Sequence, residues 1–164
     1  MALQGYDFDA TQFPALLTAR FYPERTDRES AILRDYLLQH LREFDRVSFS
    51  VRLGEGHTPD PSLPAPIQKQ QKFVTQRRVD LLAWRGSQPV LVEAKYLVAP
   101  SALGQILAYR QLLQQELPDA PEPDLVVIGR ASDSETIAIL NSHGVTVYLY
   151  PEAQSAGAST GGGV

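Results

Sequence analysis

The chain contains no cysteine. Disulfides and thiolate metal sites are therefore excluded, and any metal must be held by oxygen or nitrogen ligands. No apolar run approaches the ~20 residues of a membrane span. The opening stretch MALQGYDFDA lacks a basic region ahead of an apolar one, which reads against a secretory signal. The expectation is a cytoplasmic protein with no membrane partner. A surplus of positive charge is also missing. With a net charge of −4, the chain is not a general nucleic-acid coat, and contact with nucleic acid would need a local basic patch. There are no internal repeats, and Gly129-Arg130 is too short to form a phosphate loop.

What is present suits one folded unit. Hydrophobic residues make up 43% and charged residues 21% of 164, enough for one core. That domain is expected over 1–151. The Ala-, Ser- and Gly-rich end, 152–164, reads as a disordered tail.

Phe13-Pro14-Ala15-Leu16-Leu17 suggests a brief helix or wrap. Thr26 and Glu29 then form a capping box, opening a helix with the apolar stripe Ile32, Leu33, Tyr36, Leu37, Leu41 and Phe44. Arg46 to Leu53 alternates and reads as the first strand, with Val47, Phe49, Val51 and Leu53 facing the core. Gly54 to Pro66 holds four prolines and reads as a loop. His57 and Asp60 in it have no partner at metal-ligand spacing. Val79 to Trp84 and Val90 to Tyr96 are strands. Ser101 suits an N-cap for a helix carrying Leu103, Ile106, Leu107, Leu113 and Leu117. Leu125 to Ile128 reads as a strand buried on both faces. Ser132 and Glu135 make a second capping box, and Val145 to Tyr150 is the last strand. Three consecutive strands suit an antiparallel meander, and the later ones, joined through helices, suit parallel addition. The fold class is α/β, a mixed central sheet flanked by helices.

The chemistry centres on the hairpin. With Gly86-Ser87 as a two-residue loop, Arg85 faces Gln88, and the register carries Asp80 opposite Glu93. Lys95 shares the face of Glu93, because side chains alternate with period two. Two facing carboxylates repel unless a cation lies between them. That cation is either the Lys95 ammonium, making a plain ion-pair cluster, or a divalent metal. Oxygen donors suit Mg²⁺ or Mn²⁺. Arg78 falls opposite Lys95, and two cations there need an anion nearby. Lys69, Lys72, Arg77 and Arg78 form the densest basic stretch, read either as a solvated strand edge or as phosphate contacts. Gln105 and Tyr109 are four apart and share a helix face. Glu29 lies on its helix's core-facing side, so it either caps alone or also points toward Asp80.

Asp80, then Glu93-x-Lys95, then a helix bearing Gly104-Gln105-x-x-x-Tyr109, resembles the PD-(D/E)xK nuclease superfamily, and its RecB-like branch in particular. The strands VDLLAW and VLVEAK also resemble the C-terminal domains of archaeal mismatch endonucleases. The resemblance runs from about Glu29 to Tyr148. Val79 stands where the motif's name has proline. The resemblance implies a restriction-endonuclease-like αβββαβ core and a Mg²⁺- or Mn²⁺-dependent deoxyribonuclease acting on DNA. Asp80 and Glu93 would hold the metal with the Ala94 backbone carbonyl. Glu29 matches the superfamily's acid on the first helix and would hold a second ion or its water; Glu24 is the weaker alternative. Lys95 would orient the attacking water. Gln105 and Tyr109 would line the site, with Lys69, Lys72, Arg77, Arg78 and Tyr109 meeting substrate. A homodimer would allow two strands to be cut. The alternatives are a non-catalytic nucleic-acid-binding or assembly module of the same fold, and a structural α/β domain whose cluster is an ion-pair network. Metal binding separates the last of these from the other two, and cleavage separates the nuclease from the binding module.

Overall fold

In the computed structural model, which describes residues 3–152, six strands lie side by side in sequence order. They are β1 (Gln4–Asp9), β2 (Arg46–Leu53), β3 (Arg77–Arg85), β4 (Gln88–Leu97), β5 (Asp124–Ala131) and β6 (Val145–Leu149). The first four pair antiparallel. β5 and β6 are added parallel. This is the expected mixed α/β sheet, and its two parallel steps cross through helices α4 (Ser101–Glu116) and α5 (Ser134–Ser142). The tail expected over 152–164 lies, apart from Glu152, outside the described residues.

Two elements differ from the sequence reading. β1 precedes the strand expected to be first. It is an edge strand with exposed side chains, so it has no core-facing alternation to announce it. The expected loop holds over 54–64, but its last two residues open a helix, α3 (Ala65–Thr75), which the sequence reading did not include. Proline in the first turn starts α3 rather than breaking it, because that turn's amides need no partner within the helix. None of its side chains is buried.

The brief helix expected at Phe13 is α1 (Phe13–Thr18). Helix α2 (Asp27–His40) begins at the expected capping box, with both reciprocal bonds made. The other two caps are corrected. Pro100, not Ser101, occupies the N-cap of α4, and no side chain caps it. Asp133 caps α5 by accepting the Thr136 amide at 2.7 Å. Ser132 instead donates its hydroxyl to the Val98 carbonyl at 2.9 Å.

The core has two layers, one on each face of the sheet. Ile32, Leu33, Tyr36 and Leu37 of α2 cover Val47, Phe49, Leu81, Val92 and Ile128. Ile106, Tyr109 and Leu113 of α4 cover Val51, Leu53, Val79, Leu82, Leu91 and Val127. Phe49 and Val51 are two residues apart, yet they lie in opposite layers, and so do Leu81 and Val79. Regular alternation would put each pair on one face. The exchange occurs at Ser50, whose φ of 53° is left-handed. The β2–β3 register is the same on both sides of it, Phe49 with Leu81 and Val51 with Val79. Between those two rungs the pairing skips Ser50 and Asp80.

Candidate active site

The hairpin has the expected register. Arg85 pairs with Gln88, and pairing runs inward as far as Leu81 with Val92. Gly86 takes the positive φ of 58° that the loop requires. Beyond Leu81 and Val92 the ladder stops. Asp80 and Glu93 are the next residues on each strand, and both are buried, at 3% and 2% exposure. The Asp80 carboxylate takes over from the missing rung: its Oδ2 accepts the Ala94 amide at 2.7 Å.

Asp80 has a second partner that the sequence did not announce. The Arg25 guanidinium bonds its Oδ1 from the loop ahead of α2. Arg25 is itself buried, with a side chain 3% exposed. Its Nε donates to the Ser50 hydroxyl at 3.1 Å, and that hydroxyl donates to the Pro23 carbonyl at 2.7 Å. Ser50 thus reverses the strand's faces and anchors the arginine.

Glu93 is provided for differently. Its Oε1 meets the Lys95 ammonium at 2.7 Å. Its Oε2 is buried with no hydrogen-bond partner, and so is Arg25 Nη2. Burial, and next the charge of Asp80, push the Glu93 carboxyl up to about 8 against the pull of Lys95. Burial also raises Asp80, but Arg25 and the Ala94 amide oppose it. Burial thus favours the protonated form of both carboxyls, and Asp80 alone has a guanidinium and a backbone amide opposing it.

Glu29 reaches the edge of the cluster. Its Oε2 accepts the Thr26 amide at 2.8 Å and the Thr26 hydroxyl at 2.9 Å, while its Oε1 stands 4.0 Å from Arg25 Nη1. Burial works against its ionisation. The Thr26 bonds and the Arg25 charge outweigh burial and hold Glu29 below the usual carboxylate range. Capping and a place beside the cluster thus coexist in one side chain.

Gln105 and Tyr109 approach from α4. Gln105 Nε2 donates to the Tyr109 hydroxyl at 2.5 Å, and that hydroxyl donates to the Arg78 carbonyl at 3.1 Å. The pair braces β3 two residues from Asp80. Burial first, then the charge of Glu93, pushes the tyrosine hydroxyl well above its ordinary range.

The basic residues divide. Arg78 lies beside Arg52 on β2, and Glu24 bridges the two at 2.8 and 3.1 Å. The anion that Arg78 needs is thus the chain's own Glu24. Arg77 lines a cavity of about 470 Å³ with Gly54, Gly56, Gln76, Arg78 and Tyr109. Lys69 and Lys72 are exposed on α3, with no ion-pair partner among the described residues.

Among the described residues, no three acidic or histidine side chains gather as a metal-binding group. Two carboxylates do meet the need of Mg²⁺, which keeps several waters and takes one or two carboxylates from protein. The orphaned, buried Glu93 Oε2 and the all-oxygen donor set fit such a hard cation. No described helix is long and apolar enough to cross a membrane.

The fold and the site together define an α/β protein with a buried carboxylate pair where its central hairpin opens. No family profile and no curated protein matches the chain. Two solved structures are similar in fold. One is a repair endonuclease from Pyrococcus abyssi, at 13% identity over 82% of this chain, with a TM-score of 0.45. The other is an EndoMS–dsDNA complex, at 14% identity over 83% of this chain, with a TM-score of 0.44. The chain spans about half the length of each, 50% in both cases.

Proposed function

We propose that the chain is a metal-dependent nuclease that hydrolyses DNA phosphodiester bonds. The carrying observation is the buried pair Asp80 and Glu93, with Glu93 Oε2 unpartnered and Lys95 alongside. A fold seldom leaves a buried carboxylate oxygen without a partner unless a ligand completes it. Asp80 and Glu93 would hold Mg²⁺ or Mn²⁺, with the Ala94 carbonyl as a neutral donor. An ion held there would supply acidification of a water and charge compensation on the phosphate.

The chain's own residues do the rest. Lys95, with its side chain about one-third exposed at 34%, reaches both Glu93 and solvent. It positions the attacking water and screens the charge that develops on the phosphorane. With its Nζ 2.7 Å from Glu93 Oε1, positioning that water is the role assigned to it. Gln105 and Tyr109 hold β3 in place. Arg77, Arg78, Lys69 and Lys72 meet backbone phosphates, which fix position without reading sequence.

The test is cleavage of supercoiled, linear and single-stranded DNA with Mg²⁺ or Mn²⁺, with EDTA, Glu93→Ala and Lys95→Ala as controls. Cutting lost in EDTA and in both variants is the expected result. Absence of any metal binding would sink the proposal. One observation favours a second reading, a nucleic-acid-binding module without catalysis: Arg25 already supplies Asp80 with a counter-ion. DNA binding without cleavage would select it.

A further inference from the structure

We infer that Arg25 is the resident counter-cation of Asp80, and that a divalent cation must displace it to engage the carboxylate pair; this rests on the metal-site reading above. Both Asp80 oxygens are already occupied, Oδ1 by Arg25 and Oδ2 by the Ala94 amide. A hard cation and a guanidinium compete for the same Oδ1 lone pairs.

The surrounding backbone is built to deliver this side chain. Glu24, immediately before Arg25, holds a φ of 55°, which costs a residue with a side chain. Its carboxylate is fastened by Arg52, Arg78 and the Tyr6 hydroxyl. Thr26, immediately after Arg25, caps α2. Arg25 is thus fixed on both sides, while its Nε is fixed by Ser50. Surface chance does not produce a buried arginine held this way.

The guanidinium also has somewhere to go. Glu29 Oε1 is 4.0 Å from Nη1, and Nη2 is not committed to any partner. Arg25 therefore stands between two anions: it neutralises Asp80 without metal and shifts onto Glu29 when a cation takes Asp80. In this arrangement the fold is stable without metal, and metal affinity is held down by the fraction of time that Arg25 occupies Asp80.

The test compares the full chain with Arg25→Gln, Arg25→Lys and Ser50→Ala. Mn²⁺ affinity is measured by titration calorimetry, and melting temperature in EDTA and in Mn²⁺. Arg25→Gln is expected to bind Mn²⁺ about tenfold tighter, as when the open arrangement is populated about one-tenth of the time. It should melt lower than the parent in EDTA and gain more from Mn²⁺. Arg25→Lys, which keeps the charge but loses the fork, should fall between the two. Ser50→Ala removes the Nε anchor, together with the hydroxyl's bond to the Pro23 carbonyl, and should tighten binding by about twofold to threefold. If Arg25→Gln does not fold, Ser50→Ala decides the matter. A folded Arg25→Gln, or Ser50→Ala, that binds Mn²⁺ no tighter than the parent overturns the inference and leaves the metal-site reading standing. No Mn²⁺ binding by any of the proteins overturns both.

Discussion

Asp80 and Glu93 succeed each other across the end of one hairpin, equally buried, and the chain treats them in opposite ways. Asp80 has a guanidinium on one oxygen and a backbone amide on the other. Glu93 has an ammonium on one oxygen and nothing on the other. Their partners differ in exposure too. Arg25 is sealed in, whereas Lys95 reaches solvent. The chain's own bonds therefore satisfy both oxygens of Asp80 and only one of Glu93. One carboxylate is satisfied by the chain itself, and the other keeps one oxygen unpartnered, which is where the proposed cation would bind.

The strongest way to break this comparison is to remove each acid in turn. Asp80→Ala leaves Arg25 buried without its counter-ion, which costs on the order of 3–5 kcal/mol. Urea unfolding should show that loss. A loss below ~1 kcal/mol would mean that Arg25 is not committed to Asp80.

Glu93→Gln should do the reverse, and pH should reveal it. In the folded chain the Glu93 proton is held up to about 8. In the unfolded chain it leaves near the ordinary glutamate value. Between those limits the folded state binds more protons, so stability falls as pH rises, then levels off above about 8. The slope reaches ~1.4 kcal/mol per pH unit at most. Glu93→Gln removes this dependence, so urea unfolding from pH 5 to pH 8 should show the variant gaining on the parent. Metal competes with the same proton, so Mn²⁺ affinity should rise with pH over that range in the parent. A parent whose stability is flat from pH 5 to pH 8 would show that Glu93 is already ionised and that the two acids are alike.

Much of this site could be read from the chain before its fold. Gly86-Ser87 set the hairpin loop, and a two-residue loop leaves one register, so Asp80 had to approach Glu93. Thr26 and Glu29 marked the start of α2 because a capping box is a local code. Arg25 could not be read this way. Its place depends on Glu24 and Ser50 in left-handed conformations, which neither residue type announces. The same reversal at Ser50 hid the split of Val51 from Phe49, since simple alternation puts them on one face. β1 and α3 were hidden because exposed elements carry no burial pattern. Pro64 and Pro66 look like a loop unless they are recognised as a helix start.

Tyr109→Phe probes the brace behind the pair. It removes the bond to the Arg78 carbonyl and the partner of Gln105. The expected loss is ~1 kcal/mol in urea unfolding. Because the brace sits two residues from Asp80, DNA cleavage should fall while Mn²⁺ affinity stays near that of the parent. Equal loss in both would place the tyrosine at the metal itself.

The smallest effect is expected at the neighbouring ion network, where Glu24 joins Arg52, Arg78 and Tyr6. These groups are more numerous than those around Glu93, yet Arg78 is 40% exposed and water can replace what is lost. Arg78→Gln should therefore change stability by ~0–1 kcal/mol, and less at high salt. Glu24→Gln should cost little in surface ion pairing, but it loosens the loop that carries Arg25. If Arg25 depends on that loop, Glu24→Gln should tighten Mn²⁺ binding while Arg78→Gln leaves it nearly unchanged. Equal responses would mean that Arg25 is held by Ser50 and Asp80 alone, and that the strained turn at Glu24 contributes nothing to the site.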